Sequence, residues 1–376
     1  MELTIRREEL LKPLQLVSGA VERRQTLPIL SNVLISAKNI ENESGISHQL
    51  SFTATDLEVE LVGRINIDSI EVPGEITVSA RKLFDICKTL PEGSDIQFST
   101  NKDRLTVKSG KSRFVLTTLP ASEFPNVEES NEKVAFFAPQ KELKEVLEKT
   151  HFAMALQDVR YYLNGMLFDF SKKEMKLVAT DGHRLSLASF PGLELQSQPL
   201  QIIVPRKGII ELMRLLQDVD EKIKISLGSN HICASTPEFT FTSKLIEGKF
   251  PSYDQVIPKN GNKVVIANRD ELKQVLTRVS ILSNEQYRGI RILLKPNLLS
   301  VFANNPEQEE AEEELQVGYN GSDLEMAFNV NYFIDICNTI SSKEMKITFS
   351  NSTSCVLIEE LGEESNYIYV IMPLRL

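Results

Sequence analysis

The 376 residues are 41% apolar and 25% charged, the composition of a globular protein, and no run of ~18 apolar residues is present to span a bilayer. The net charge of −10 excludes a protein that is basic throughout. It leaves room for a local basic track, because binding depends on how charge is distributed.

The N-terminal segment MELTIRREELL lacks the apolar core of a secretory signal. From its strand-like start the chain runs into a helical pattern. Leu10, Leu14, Val17 and Val21 fall at i, i+4, i+7 and i+11, which predicts one amphipathic helix through Val21. Ile65-Asn66-Ile67 then alternates as a half-buried strand does, with turns at Pro73-Gly74 and Pro91-Glu92-Gly93. A second helix is expected around Asp85 in FDICKTL. The pattern restarts at FFAPQKELKEVL, with a helix around Glu211 in IELMRLL and alternation at Phe239-Thr240-Phe241-Thr242. It restarts again at VIANRDELKQVL, where Leu272, Val275, Leu276 and Val279 form an apolar stripe. IDICNTI around Asp335 and the strand Lys346-Ile347-Thr348-Phe349 follow.

These restarts are a repeat. Ala54-Thr55-Asp56 recurs as Ala179-Thr180-Asp181 and Ala303-Asn304-Asn305, 125 and then 124 residues on, and Asp85, Glu211 and Asp335 are spaced 126 and 124 apart. Several motifs keeping one order and nearly one period imply three tandem copies of one domain. Each copy is α+β, two helices packed on antiparallel sheets. Domains are expected at 1–127, 134–255 and 262–376, with linkers near Asn126–Val134 and Val256–Lys263. Units of this size bury their own cores, so no metal or disulfide is required. Cys87, Cys233, Cys337 and Cys355 form no CxxC pair and read as reduced thiols in a cytoplasmic protein.

The helices carry bases, among them Lys12, Arg81, Lys82, Lys141, Lys144, Lys273 and Arg278. They serve either as ordinary solvated faces or, summed over the repeats, as a track for phosphates without base readout. Neither a phosphate-binding GxxxxGK[ST] loop nor an HExxH zinc motif occurs. Thr180, Asp181 and His183 could form a hydrolytic set, but a nucleophile with an oriented base is not evident.

The strings TLPILSNVLI, QDVRYYLNGMLF, ATDGHRLSL, VPRKGIIELMR, ANNPEQEEAEEE and VIMPLRL, spread from end to end, resemble the bacterial DNA polymerase III β subunit family, the replication sliding clamps. The resemblance implies a head-to-tail homodimer whose six domains form a ring around duplex DNA, helices inside and sheet outside. It also implies a non-catalytic accessory subunit with no cofactor and no metal. A separate clamp-loader ATPase would load it, and it would tether the polymerase catalytic subunit and other proteins carrying short motifs rich in Gln, Leu and Phe.

Residue by residue, the resemblance assigns a peptide pocket to Leu163, Thr180, Gly182, His183, Arg184, Leu185, Pro251, Val256, Val370, Met372, Pro373, Leu374 and Arg375. Arg24, Gln157, Tyr161 and Tyr162 would face DNA, although either tyrosine could instead be core. Ring closure would set Lys108, Lys111, Arg113 and Phe114 against Ile281, Leu282, Glu307, Glu309, Glu310, Glu312 and Glu313. The glutamate run could equally be a solvated loop. Departures from the family pattern are an extended loop Glu41–Gln49 expected at the rim, Leu374 where methionine is frequent, and Gln255 where a base is expected. The other readings are a repeat-built peptide scaffold that never encircles DNA, and a hydrolase using Asp181 and His183.

Overall fold

The computed structural model describes residues 1–21, 27–42, 45–125, 132, 134–171, 174–191, 199–259, 261–362 and 366–374. The first repeat runs β1 (Glu2–Arg6), α1 (Arg7–Val17), β2 (Asn32–Asn42), β3 (Gly45–Thr55), β4 (Val59–Ile67), β5 (Ile70–Val72), β6 (Gly74–Ser79), α2 (Ala80–Thr89), β7 (Asp95–Asn101), β8 (Arg104–Ser109) and β9 (Ser112–Leu119). The second runs β10 (Val134–Pro139), α3 (Gln140–Thr150), β11 (Gly165–Phe170), β12 (Glu174–Thr180), β13 (Arg184–Pro191), β14 (Leu200–Pro205), α4 (Arg206–Leu215), β15 (Lys222–Leu227), β16 (His231–Ser235) and β17 (Phe239–Lys244). The third runs β18 (Lys263–Asn268), α5 (Arg269–Val279), β19 (Gly289–Lys295), β20 (Leu298–Asn304), β21 (Glu310–Gln316), β22 (Leu324–Asn329), α6 (Val330–Thr339), β23 (Glu344–Phe349), β24 (Val356–Glu360) and β25 (Tyr367–Ile371).

Each repeat thus yields two antiparallel meanders. The outer one joins the strand before the first helix to the three strands after the second, as in β1-β7-β8-β9. The inner one is made between the helices, as in β6-β2-β3-β4. The junction from strand into first helix is sealed identically in all three. Arg7 N–H donates to Ser94 O (3.0 Å), Gln140 N–H to Glu221 O (3.1 Å) and Arg269 N–H to Lys343 O (3.0 Å). Those amides are at helix N-termini, where no intrahelical acceptor exists for them.

The chain forms two compact units, residues 1–140 with 210–245 and residues 141–209 with 246–376. In the first, the last inner strand of repeat 1 pairs with the last outer strand of repeat 2, β4 with β17, Phe239 opposite Gly63 through Ser243 opposite Val59. That pairing and a short β6–β9 contact make one sheet of thirteen strands, ordered β10-β15-β16-β17-β4-β3-β2-β6-β9-β8-β7-β1-β5. Leu10, Phe52, Phe98 and Phe241 are fully buried there. The second unit repeats the rule. β13 pairs with β25, Arg184 opposite Ile371 through Ala188 opposite Tyr367, giving the eight-stranded order β14-β11-β12-β13-β25-β24-β23-β18. A separate four-stranded sheet is ordered β21-β20-β19-β22. Its core buries Leu272, Val275, Leu276 and Val279 from one stripe of α5, with Phe328, Phe333 and Phe349. Each such side chain removed from water contributes roughly 1.5–3 kcal/mol.

Two expectations need correction. The first helix does not reach Val21. It stops at Val17 and tightens into a 3₁₀ turn, Ser18–Ala20, leaving Val21 half-buried in extended conformation. Ser18 Oγ bonds back to Gln15 O (2.7 Å) and Gly19 follows, a pair that favours ending a helix. Matching 3₁₀ turns follow α3 at His151–Ala153 and α5 at Ser280–Leu282. Of the segment Glu41–Gln49, expected as a loop, the described residues are strand: Glu41 and Asn42 end β2, and Gly45 to Gln49 begin β3, Asn42 opposite Gly45.

His231 on β16 is buried, and neither ring nitrogen has a hydrogen-bond partner among the described residues. Burial, aided by Lys244 opposite on β17, pushes the imidazole below its ordinary value. The unfolded chain therefore takes up this proton more readily than the folded one. The resulting stability is complete above the unfolded value of ~6.5 and falls as pH drops below it. Chemical denaturation should show wild type losing more stability than His231→Leu between about pH 7.5 and about pH 5.5. Parallel losses would contradict this assignment.

Candidate functional site

Most residues assigned to the pocket converge on one groove in the second unit. The turn between β12 and β13 builds one wall. Thr180 Oγ1 donates to Arg184 O (2.6 Å), Gly182 N–H donates to Thr180 Oγ1 (3.0 Å), and the amides of His183 and Arg184 donate to Asp181 Oδ1 (2.9 and 3.0 Å). The first repeat makes the same turn with Thr55 and Asp56. The Ala-Thr-Asp marker is therefore a turn signature. Asp181 accepts two backbone amides and the Arg184 Nε (3.1 Å), which leaves it oriented as a turn acid rather than aimed at a nucleophile.

Gly182 sits at φ +88, the left-handed region, and a Cβ there would lie 2.9 Å from an Arg160 nitrogen. The glycine both closes the turn and admits the guanidinium, which donates to Asp181 O (3.2 Å). Arg160 is fixed by Asp158 (3.0 and 2.8 Å), whose carboxyl is pulled down to about 2 by that hydrogen-bonded pair.

Leu163, Thr180, Gly182, His183, Arg184, Leu185, Pro251, Val256, Val370 and Met372 line a cavity of about 170 Å³. Leu163, Leu185 and Val370 are buried, and Met372 is 38% exposed at its mouth. The tail strand is held by Met372 N–H donating to His183 O (2.8 Å). An engineered cavity of ~150 Å³ with apolar walls takes up benzene, so this groove has room for one or two apolar side chains. Pro373 and Leu374 lie outside the lining. Leu374 continues past the groove, its N–H donating to Ala327 O (2.7 Å). Arg375 and Arg24 lie outside the described residues.

Arg160, Phe250 and Tyr253 also line the cavity and escaped sequence reasoning, although Arg160 and Phe250 adjoin assigned residues and Tyr253 lies two residues from Pro251. Tyr253 is buried, and its hydroxyl donates to Asp169 Oδ2 (2.8 Å), which also accepts from Gln201 Nε2 (3.0 Å). Burial and that carboxylate push the phenol far above its ordinary range. Of the residues assigned to DNA, Gln157 is exposed at φ +54 and Tyr161 is 56% exposed. Tyr162 packs edge-on to Tyr161, centroids 5.8 Å apart, and is half-buried against the groove core.

The residues assigned to ring closure fall on two strand edges. On the side away from β8, β9 pairs with β6 only at Thr118 and Leu119, so Ser112–Thr117 is an open edge among the described residues. It displays Arg113 and half-buried Phe114, with exposed Lys108 and Lys111 beside it. The glutamate run is partly strand: Glu310, Glu312 and Glu313 are on β21, whose only neighbour among the described residues is β20, while Glu307 and Glu309 precede it, exposed. Ile281 is 74% exposed and Leu282 half-buried. Glu313 is already engaged, accepting both Arg278 Nε and Nη2 at 2.6 Å.

Fold and site together define a protein of triplicated α+β domains that carries an apolar groove with room for one or two side chains and two oppositely charged sheet edges. Profiles of the DNA polymerase III beta subunit match its N-terminal domain to residues 1–128, its central domain to 138–252 and its C-terminal domain to 254–375. The beta sliding clamp of Pseudomonas putida is 52% identical over 376 residues, covering all of both chains. The crystal structure of the DNA polymerase III subunit beta from Pseudomonas aeruginosa superposes with a TM-score of 0.95 at 51% identity, again over all of both chains. A sliding clamp from the same species, bound to griselimycin, gives 0.94 at 52% with equal coverage. The chain belongs to the DNA polymerase III beta subunit family, the sliding clamps of bacterial DNA replication.

Tyr253→Phe should cost about 1 kcal/mol, since Asp169 keeps only its Gln201 bond. A urea midpoint equal to that of wild type would show that the hydroxyl does not hold the groove wall.

Proposed function

We propose that two copies of this chain close head to tail into a ring around duplex DNA, and that the groove tethers polymerases and other proteins by short peptide motifs. The observation that carries the first part is the pairing rule. The last inner strand of one repeat pairs with the last outer strand of the next, β4 with β17 and β13 with β25. Applied once more, the rule pairs β21 with β9 of a second copy; among the described residues β21 pairs with β20 alone, and β9 meets β6 only at Thr118 and Leu119. Lys108, Lys111 and Arg113 on one side and Glu307, Glu309, Glu310 and Glu312 on the other steer that pairing, with Phe114 against Ile281 and Leu282 as apolar anchor. Glu313 acts through Arg278 rather than across the interface.

The domains are proposed as 1–127, 134–255 and 262–376. In the groove, Leu163, Leu185, Val256, Val370 and Met372 receive an apolar side chain. Thr180, Gly182, His183, Arg184 and Pro251 shape its rim, and Pro373 and Leu374 extend the surface along the tail; Arg375, outside the described residues, is assigned to the same peptide. Arg24, Gln157, Tyr161 and Tyr162 contact DNA by phosphate charge, hydrogen bonding and stacking. A closed ring stays on DNA by enclosure, so rapidly exchanging phosphate contacts suffice and strong base contacts would arrest sliding. A non-catalytic role follows, with a separate ATPase opening the ring. The turn role shared by Asp181 and Asp56 favours this reading over hydrolysis. The site of action is the cytoplasm, where replication takes place.

The test is retention on nicked circular DNA after loading. Wild type should remain bound and be released when the circle is linearised. Phe114→Ala with Ile281→Ala, at about 2 kcal/mol or more per lost anchor, should not be retained. Retention on linear DNA equal to that on circles would remove the ring and favour a scaffold that binds without enclosure.

A further inference from the structure

Arg184 belongs to two structures at once. Its backbone is part of the groove wall and pairs with Ile371 on β25. Its guanidinium turns inward, the side chain only 13% exposed, and is sandwiched between the rings of Phe152 (5.3 Å) and Tyr332 (4.7 Å). Nε donates to Asp181 Oδ2 (3.1 Å), Nη1 to Asp335 Oδ2 and Nη2 to Phe152 O (2.9 Å). One planar fork thus ties together the groove turn, the 3₁₀ turn after α3, and α6 of the third repeat. Asp335 is not among the residues that line the groove.

The other joint between repeats is fastened from a different element. There the position three residues after Asp56 is Val59, buried and apolar. Glu211, the counterpart of Asp335, pairs with Arg214 of its own helix, and that arginine donates across the joint to Gln15 O and Leu16 O at the end of α1. The β4–β17 pairing belongs to this joint. Both joints thus carry an arginine fork, but only at the joint with the groove does the fork spring from the Thr-Asp turn itself, and that joint has an independent fastening. Lys149 Nζ, buried at the end of α3, donates to Thr339 O (2.7 Å), Ser341 Oγ (2.6 Å) and Glu360 Oε1 (2.7 Å).

We propose that Asp335 is a positioning residue for the groove: acting through Arg184, it holds the Asp181–Arg184 turn in the shape that an apolar peptide side chain needs. This rests on the peptide-groove reading above. Two carboxylates and a carbonyl fix the fork's orientation, and a flat guanidinium between two rings cannot rotate to compensate for losing one of them. By linkage, an occupied groove holds α6 by the same contact, so the peptide is felt on the third repeat at residues it does not touch.

The experiment measures fluorescence polarisation of a labelled pentapeptide of Gln, Leu and Phe with the full-length protein. Asp335→Asn should weaken binding by about fivefold or more. Glu360→Gln, which cuts the Lys149 fastening at the same joint, should lower the thermal midpoint but change the Kd by less than about twofold. In an Arg184→Gln background, adding Asp335→Asn should likewise change the Kd by less than about twofold, because the path is already cut. Wild type that binds while Asp335→Asn binds equally well overturns the coupling and leaves the groove standing. Equal weakening by Glu360→Gln, or a full effect of Asp335→Asn without Arg184, also overturns it. Wild type that fails to bind the peptide removes the groove reading and this inference with it.

Discussion

Backbone amides and carbonyls at the rim of a β-sheet must find partners or remain in water, and this chain manages that constraint by one rule used repeatedly. Each repeat ends its inner and outer meanders on an edge strand, and neighbouring repeats consume those edges pairwise. Five residue pairs form across β4–β17 and five across β13–β25. At ~0.5–1.5 kcal/mol net per hydrogen bond, such a ladder is comparable with the ~5–15 kcal/mol that holds a whole domain together. A chain of three repeats has two such internal joints, which leaves β9 of the first repeat and β21 of the third without the partner the rule supplies. Head-to-tail closure satisfies both with no new kind of contact, and identical contacts close a ring when the rotation completes the circle.

Much of this was legible in the sequence because periodicity survives without coordinates. The stripe Leu272, Val275, Leu276 and Val279 is buried as its spacing implies, and Phe239–Thr242 alternates between core and surface. The repeat markers have physical meanings: Ala-Thr-Asp is a side-chain-capped turn, and Asp335 and Glu211 are acids at the joints between repeats. Other features were illegible because they depend on partners distant in the chain. The hydrophobic period could not see that Ser18 and Gly19 end α1 before Val21. Charge alone could not show that part of the glutamate run is an edge strand, since a run of like charge is more often a solvated loop. Arg160, Phe250 and Tyr253 become groove residues only once β12, β13 and the tail converge.

The molecule divides its cations by task. Arg184 and Lys149 are taken out of water, and every nitrogen they bury is matched to an acceptor or a ring face, as buried charge requires. Lys108, Lys111 and Arg113 stay exposed, their charge left in water. The groove is mostly apolar, and the flexible thioether of Met372 is part of its lining.

The central claim, that β9 and β21 are edges completed by a second copy, is tested most directly by amide hydrogen exchange over Ser112–Thr117 and Glu310–Glu314 across a dilution series. The account predicts slow exchange at high protein concentration, becoming fast in parallel on both strands as the protein is diluted. Fast exchange of both strands at every concentration would mean that the edges remain open in solution, and would contradict it.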